Sequence, residues 1–173
     1  MDIYVLRIGH RMNRDKRVTT HAALVSRAFG AKGIYISPPD KGIEKTIKGV
    51  NERFGGSFQV ESIDKWHTLL NSWKGVIVHL TMYGIPLWEV KGQIKKEKED
   101  LLVVIGATKV PIEVYLKANY NVAIYNQPHS EISALAIFLH DVFPEKAIKE
   151  NYNGKLKIIP KEKGKMVVEN QYL

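Results

Sequence analysis

Leu101-Leu102-Val103-Val104-Ile105-Gly106-Ala107-Thr108-Lys109-Val110-Pro111 is the stretch on which the fold turns. Five apolar residues in a row, three of them β-branched, read as a strand buried on both faces. A glycine follows at once. A proline then suits the first turn of a helix that carries Tyr115 and Leu116. Strand, tight turn and helix form one half of a crossover unit, and the rest of the chain repeats the alternation.

Upstream, Val76-Ile77-Val78-His79-Leu80 is a second run of the buried type. It is preceded by a helical stripe at Trp66, Leu69, Leu70 and Trp73. Downstream, residues 121–124 read as the last core strand. Ser130 can cap a helix carrying Ile132, Leu135, Ala136 and Leu139 that stops before Pro144. Toward the N-terminus, residues 3–8 read as a strand and residues 20–29 as a helix stopped by Gly30. Ile34-Tyr35-Ile36 is a short strand closed by Pro38-Pro39. Asp40 can cap a helix whose Ile43, Ile47, Val50 and Phe54 share a face, and residues 57–60 are a further strand. Strands alternating with helices predict an α/β fold, a parallel sheet with helices on both faces and the two apolar runs at its centre. Lys95-Lys96-Glu97-Lys98-Glu99-Asp100 is a solvated helix end or loop between strands. Patches at residues 156–159 and 166–168 predict a short C-terminal β-hairpin. Residues 1–145 thus form the main domain, and residues 146–173 are an extension packed on it.

The 173 residues suit one domain with a sizeable core. With 45% hydrophobic and 25% charged residues, the composition is that of an ordinary globular protein. No cysteine is present, which excludes a disulfide scaffold, a thiolate nucleophile and a Cys-based zinc site. The six histidines show no metal-ligand spacing, so no metal is expected. Met1-Asp2-Ile3-Tyr4 is no secretory signal and no apolar run approaches a membrane span, so the expected setting is the cytoplasm, without membrane contact.

Lys plus Arg is 26 against 18 for Asp plus Glu, a net charge of +8 that favours polyanionic partners. All six arginines lie between positions 7 and 53, and every later cation is a lysine. Guanidinium forks suit phosphate, so the N-terminal third is the better place for a specific phosphate site.

Ligands of such sheets lie beyond the carboxyl ends of the strands, at residues 81–84, 106–110 and 125–130. Gly106 begins a turn that is neither a Gly-x-x-x-x-Gly-Lys loop nor a Gly-x-Gly-x-x-Gly fingerprint, and it reads equally as a structural turn or a ligand loop. The polar loop Asn126-Gln127-Pro128-His129-Ser130-Glu131 can read a purine edge and a ribose, or serve as a capped turn. His79, inside an apolar strand, reads as a satisfied core histidine. Arg11-Met12-Asn13-Arg14-Asp15-Lys16-Arg17-Val18-Thr19-Thr20-His21 is the richest polar stretch, a loop leading into a helix, and is a phosphate-site candidate. No serine hydrolase signature is evident.

Four blocks in order carry a resemblance: Arg14-Asp15-x-Arg17-x-x-Thr20-His21 with Arg27-Ala28-Phe29-Gly30-Ala31; Val78-His79-Leu80-Thr81-Met82-Tyr83-Gly84; Val104-Ile105-Gly106-Ala107-x-Lys109-Val110-Pro111; and Tyr120-Asn121-Val122-Ala123 with Asn126-Gln127-Pro128-His129-Ser130-Glu131. Over about residues 1–142 the chain resembles the archaeal tRNA cytidine 2′-O-methyltransferase family, of the SPOUT class, which acts at tRNA position 56 in the T loop.

The resemblance implies a C-terminal deep trefoil knot in the sheet. It implies S-adenosyl-L-methionine as cofactor, held by Leu80, Thr81 and Gly84, by Gly106, Ala107, Thr108, Lys109 and Val110, and by Ile124, Tyr125, Asn126, Gln127, Pro128, His129, Ser130 and Glu131. It also implies a homodimer whose site is completed across the interface, and a tRNA substrate.

The wider class carries an essential arginine in its first motif. Counting back from Phe29-Gly30, that position falls at Leu24 here. Arg14, Arg17 and Arg27 are the candidates, with Arg14 and Arg17 preferred. Arg11, Arg14, Arg17 and Arg27 would bind RNA. One arginine could hold the phosphate beside the reacting hydroxyl. His21 is a chemically easier proton acceptor than an arginine, which stays protonated. The rival readings are a SPOUT enzyme acting on rRNA or on a base, a catalytically silent RNA-binding module, and a nucleotide-binding oxidoreductase that lacks its glycine fingerprint.

Overall fold

Period-two burial explains why the decisive stretch is apolar throughout. In the computed structural model, which describes residues 1–149 and 152–170, strand β5 (Leu101–Gly106) sends Leu101, Val103 and Ile105 to one face and Leu102 and Val104 to the other. All five are fully buried, each contributing about 2 kcal/mol by removal from water.

The elements follow in order: β1 (Ile3–Ile8), α1 (Met12–Ala28), β2 (Gly33–Ser37), α2 (Lys41–Phe54), β3 (Gln59–Ser62), α3 (Trp66–Ser72), β4 (Val76–Pro86), α4 (Leu87–Ile94), β5, α5 (Ile112–Lys117), β6 (Tyr120–Ala123), α6 (Glu131–Val142) and α7 (Pro144–Lys149), then the hairpin β7 (Leu156–Ile159) and β8 (Met166–Glu169). Six strands form one parallel sheet in the order β3-β2-β1-β5-β4-β6, while β7 and β8 pair antiparallel. One face is covered by α1, α2, α4 and α6 through Ala22, Ala23, Ile43, Ile47, Leu87, Ile94, Leu135 and Phe138. The other is covered by α3 and α5 through Leu70 and Val114. Asp40 caps α2 by accepting from the backbone N–H groups of Gly42 and Ile43, and Ser130 caps α6 through Ile132.

Several boundaries differ from the sequence expectation. Helix α1 begins at Met12, not at residue 20, so the polar stretch 11–21 is helical rather than a loop. Its buried stripe is Asp15, Thr19, Ala22, Ala23 and Ser26, spaced as a helix requires but too polar to register as an apolar pattern. The Asp15 carboxylate accepts from the Arg11 backbone N–H at 3.1 Å and from its guanidinium at 2.8 and 3.1 Å, placing negative charge in the first turn. Strand β4 runs past Leu80 to Pro86, so residues 81–84 are a bulge inside a strand. Strand β3 starts at Gln59 rather than at residue 57. Helices α4 and α7 were not anticipated; both are short, and α7 begins at the proline expected to end α6.

The chain leading into the hairpin lies against α1 and α2. The Tyr152 hydroxyl donates to the Arg27 carbonyl at 2.6 Å, and the Arg27 guanidinium sits 4.6 Å from the Tyr152 ring centre. Residues 150–151 and 171–173 of the expected extension lie outside the described residues. Among the described residues no helix is long and apolar enough to cross a membrane.

Candidate active site

Three chain segments at the carboxyl ends of β4, β5 and β6 enclose a cavity of about 610 Å³, within the range of sites for small ligands. The first is the β4 bulge. Leu80 and Ile85 both stand opposite Val122 of β6, so residues 81–84 are looped out of register. Gly84 is needed there, because a Cβ would lie 2.5 Å from the backbone of Asn121 and Val122. Asn126 fastens the bulge to the segment after β6, its Nδ2 donating to the carbonyls of Met82 at 2.8 Å and Gly84 at 3.0 Å.

The second segment follows β5. Gly106 turns the chain so tightly that a Cβ would approach Val110 Cγ2 to 2.3 Å. Ala107 donates its N–H back to Ile8 of β1 at 2.9 Å. The third is the entry to α6, where Ser130 Oγ accepts from the Ile132 N–H at 3.2 Å. A helix start leaves its first N–H groups without intrahelical partners, and the Ser130 hydroxyl takes one of them.

Of the residues expected to hold a cofactor, Leu80, Thr81, Gly106, Thr108, Lys109, Val110, Ile124, His129, Ser130 and Glu131 line the cavity. Gly84, Ala107, Tyr125, Asn126, Gln127 and Pro128 do not. Gly84 and Asn126 shape the wall from behind. Ala107 ties it to β1. Tyr125 is exposed, its ring 6.2 Å from that of Trp88. Met82 and Tyr83, inside the expected ligand loop 81–84, line the cavity too, as do His79, Tyr115 and Ala134, which the sequence does not mark as ligand residues. Ala134 stands one turn after the Ser130 cap, so helical spacing could have found it. Tyr115 enters from α5, where sequence gives no sign that its side chain turns toward β4.

Glu131 belongs to a buried polar chain that the sequence reading missed. Its carboxylate accepts from Arg7 of β1 at 2.9 Å, and Arg7 Nε donates to Thr19 Oγ1 at 2.6 Å. The Thr19 hydroxyl lies 2.9 Å from His10 Nδ1, and His10 Nε2 lies 3.2 Å from Asp40. Burial alone would raise the Asp40 pKa, but bonds from His10 and from the N–H groups of Gly42 and Ile43 outweigh it and hold the carboxyl below its ordinary range. Arg7 and Thr19 are enclosed, so the chain positions Glu131 rather than presenting new chemistry. The only cue in the sequence is an arginine within an apolar strand.

The cationic residues sort into two groups. Arg14, Arg17 and His21 are exposed and, at intervals of three and four on α1, form one stripe with Val18. None of them lines the cavity of its own chain. Arg11 and Arg27 are engaged elsewhere. The guanidinium of Arg11 is paired with Asp15, which raises the Arg11 pKa and lowers that of Asp15. Arg27 donates to Asn51 Oδ1 at 2.8 Å and to the Gly55 carbonyl, and lies over Tyr152. These contacts make Arg27 a brace between α1, α2 and the C-terminal segment.

Apolar walls from Leu80, Val110, Ile124 and Ala134, N–H groups at a helix start and a carboxylate at the rim fit a nucleoside cofactor that carries an amino-acid tail. One buried ring atom of the lining residue His79, Nε2, has no partner.

The family model described as tRNA ribose 2′-O-methyltransferase, aTrm56, matches residues 54–168. The tRNA (cytidine(56)-2′-O)-methyltransferase of Thermococcus kodakarensis is 50% identical over 174 residues, covering 96% of this chain and 97% of that protein. The protein of the same name from Picrophilus torridus is 50% identical over 165 residues; 95% of this chain is covered, and it spans 48% of that longer relative.

Among solved structures, the SpoU methyltransferase AviRb from Streptomyces viridochromogenes in complex with AdoMet superposes with a TM-score of 0.57 at 12% identity. The match covers 86% of this chain and 58% of that one. An RNA 2′-O ribose methyltransferase superposes with a TM-score of 0.59 over 84% of this chain and 57% of that one, also at 12% identity. At that identity the likeness concerns the fold. With the family match over most of the chain and half-identical relatives along nearly all of it, the chain belongs to the tRNA ribose 2′-O-methyltransferase family aTrm56.

Proposed function

We propose that this chain transfers the methyl group of S-adenosyl-L-methionine to the ribose 2′-hydroxyl of the T-loop cytidine at tRNA position 56. The observation that carries the reading is the cavity at the ends of β4, β5 and β6, lined mainly by residues from three of the four blocks through which the chain resembles its family. The bound sulfonium supplies a methyl group already activated for transfer, so the protein's work is positioning and proton acceptance. The apolar wall excludes water from the nucleoside. The rim at Ser130 and Glu131 receives the polar tail, and Arg7 holds Glu131 in place.

Among the described residues the cavity wall contains no arginine, and Lys109 is the one lysine in it. Phosphate recognition therefore comes from outside that wall. The α1 stripe supplies it: Arg14 or Arg17 holds the phosphate next to the reacting ribose, and His21, on the same stripe, takes the 2′-hydroxyl proton. Because the stripe does not line its own cavity, a second copy completes the site, and the working form is a homodimer. Residues 146–173 belong to the same folding unit, a reading supported by the packing of Tyr152 on Arg27. The strand order supports a deep trefoil knot, with β6 entering beside β4 and Asn126 reaching back over the β4 bulge.

The test is methyl transfer from labelled S-adenosyl-L-methionine to unmodified tRNA transcript, with the modified nucleotide mapped. Label on the 2′-oxygen of the T-loop cytidine supports the cofactor, reaction and substrate together. Label on rRNA or on a base would move the specificity. Absence of cofactor binding would overturn the reading.

A further inference from the structure

His79 lies in the middle of β4, is 0% exposed, and forms part of the cavity wall. Its two ring nitrogens have different surroundings. Asn121 Nδ2 donates to the Tyr115 carbonyl at 2.9 Å, which turns Asn121 Oδ1 toward His79 Nδ1, also at 2.9 Å. An amide oxygen only accepts, so the ring proton is on Nδ1. Burial lowers the His79 pKa against the smaller opposing effect of the Asn121 bond, so the ring is neutral. Nε2 is then a bare lone pair.

Among the described residues it is the one buried side-chain polar atom without a partner. Two polar side chains of the wall bond to each other: Tyr115 and Thr81 share a hydrogen bond of 3.1 Å, and the Tyr115 ring stands edge-on to the imidazole at 4.6 Å. A buried acceptor without a donor is costly, and native proteins rarely leave one empty.

We infer that His79 is a ligand-binding residue, its Nε2 accepting a hydrogen bond from an N–H or O–H of the adenosyl group in the cavity. This rests on the cofactor reading above. The adenine amino group and the ribose hydroxyls are the donors of that moiety, and both belong to the part of the cofactor that the apolar wall would enclose. The Asn121 amide acts as the tautomer lock: it keeps the proton on Nδ1 and leaves Nε2 free to discriminate for a donor. Asn121 is thus a positioning residue acting through His79.

The experiment uses the full chain and S-adenosylhomocysteine. Histidine ¹⁵N shifts are recorded for the wild-type protein, free and bound, and dissociation constants are measured by calorimetry for wild type and His79→Phe. Binding should move the His79 Nε2 resonance from the position of a bare lone pair toward that of an acceptor, and His79→Phe should weaken binding about tenfold. The inosine analogue, which lacks the amino group, and the 2′- and 3′-deoxy analogues identify the donor. The analogue lacking it binds wild type about tenfold more weakly, and His79→Phe no longer distinguishes it from the parent. An unmoved Nε2 resonance in a wild-type protein that binds the ligand overturns the role of His79 alone, and that measurement needs no variant to fold. Failure of wild type to bind S-adenosylhomocysteine overturns the cofactor reading and this inference with it.

Discussion

Arg7 on β1 and Glu131 at the start of α6 meet at 2.9 Å across 124 residues of chain. The Arg7 side chain is 1% exposed and that of Glu131 27%, so the pair is buried at one end and wet at the other. That asymmetry sets the order of mutational effects. Removing Glu131 strands a buried guanidinium, and Glu131→Ala should cost about 3–5 kcal/mol. Arg7→Met leaves a carboxylate that can turn to water, and should cost less. The double variant should cost less than the sum, since neither charge is then orphaned. Urea denaturation of the four proteins checks this; additive losses would mean that the pair is not coupled.

Gly106 and Val110 make a second coupled pair. A Cβ at position 106 would lie 2.3 Å from Val110 Cγ2, while its next contact, the Thr108 carbonyl, is 3.1 Å away. Gly106→Ala should therefore displace the turn and weaken binding of S-adenosyl-L-methionine at least tenfold, equivalent to about 1.4 kcal/mol. Val110→Ala removes the obstructing methyl group, so Gly106→Ala/Val110→Ala should recover most of the loss. Calorimetry decides; no recovery would place the cost in the backbone instead.

The contrast between these pairs shows what was legible in the sequence. The turn at Gly106, the caps at Asp40 and Ser130 and the central run at residues 101–105 are local patterns, and local patterns determine their own structure. The cavity segments were placed by the rule that ligands lie beyond strand ends. Arg7 and Glu131 meet only through the sheet and α1, and no spacing between them carries that information. Helix α1 was mis-bounded because its inward stripe uses Asp15, Thr19 and Ser26 where a periodicity search expects apolar side chains. In the sequence His79 reads as satisfied, because an apolar strand says nothing about which ring nitrogen finds a partner.

Stability should fall in two steps as pH is lowered. Burial lowers the His79 pKa, whereas an unfolded histidine titrates near pH 6.5. Below about pH 6.5 the unfolded chain holds a proton that the folded chain refuses, so stability falls there by at most about 1.4 kcal/mol per pH unit. Asp15 and Asp40 behave as stabilised carboxylates. Arg11 lowers the pKa of Asp15, and bonds from His10, Gly42 and Ile43 overcome burial at Asp40. Their contributions are present above the unfolded carboxylate pKa of about 4 and are lost as pH falls below it. Urea midpoints between pH 8 and 3 should show both steps, and His79→Phe should flatten only the upper one. A variant with an unchanged upper step would assign that step to another group.

The last prediction concerns where the arginine stripe acts. Arg14 and Arg17 are exposed on α1, so Arg14→Ala and Arg17→Ala should change stability by less than about 0.5 kcal/mol. Cofactor affinity should survive in both, because neither residue lines the cavity, while turnover on tRNA should be lost in whichever of the two holds the phosphate and in the double variant. Thr108→Trp does the reverse. Thr108 is exposed and lines the cavity, so the indole blocks the site and leaves the stripe intact.

If the stripe of one copy serves the cavity of the other, mixing the Arg14→Ala/Arg17→Ala protein with Thr108→Trp should restore activity. Random exchange makes half of the dimers hybrids, each with one complete site of two, so the mixture should reach about a quarter of wild-type turnover. A mixture that stays inactive after verified subunit exchange would place the stripe and the cavity of a single chain in the same site.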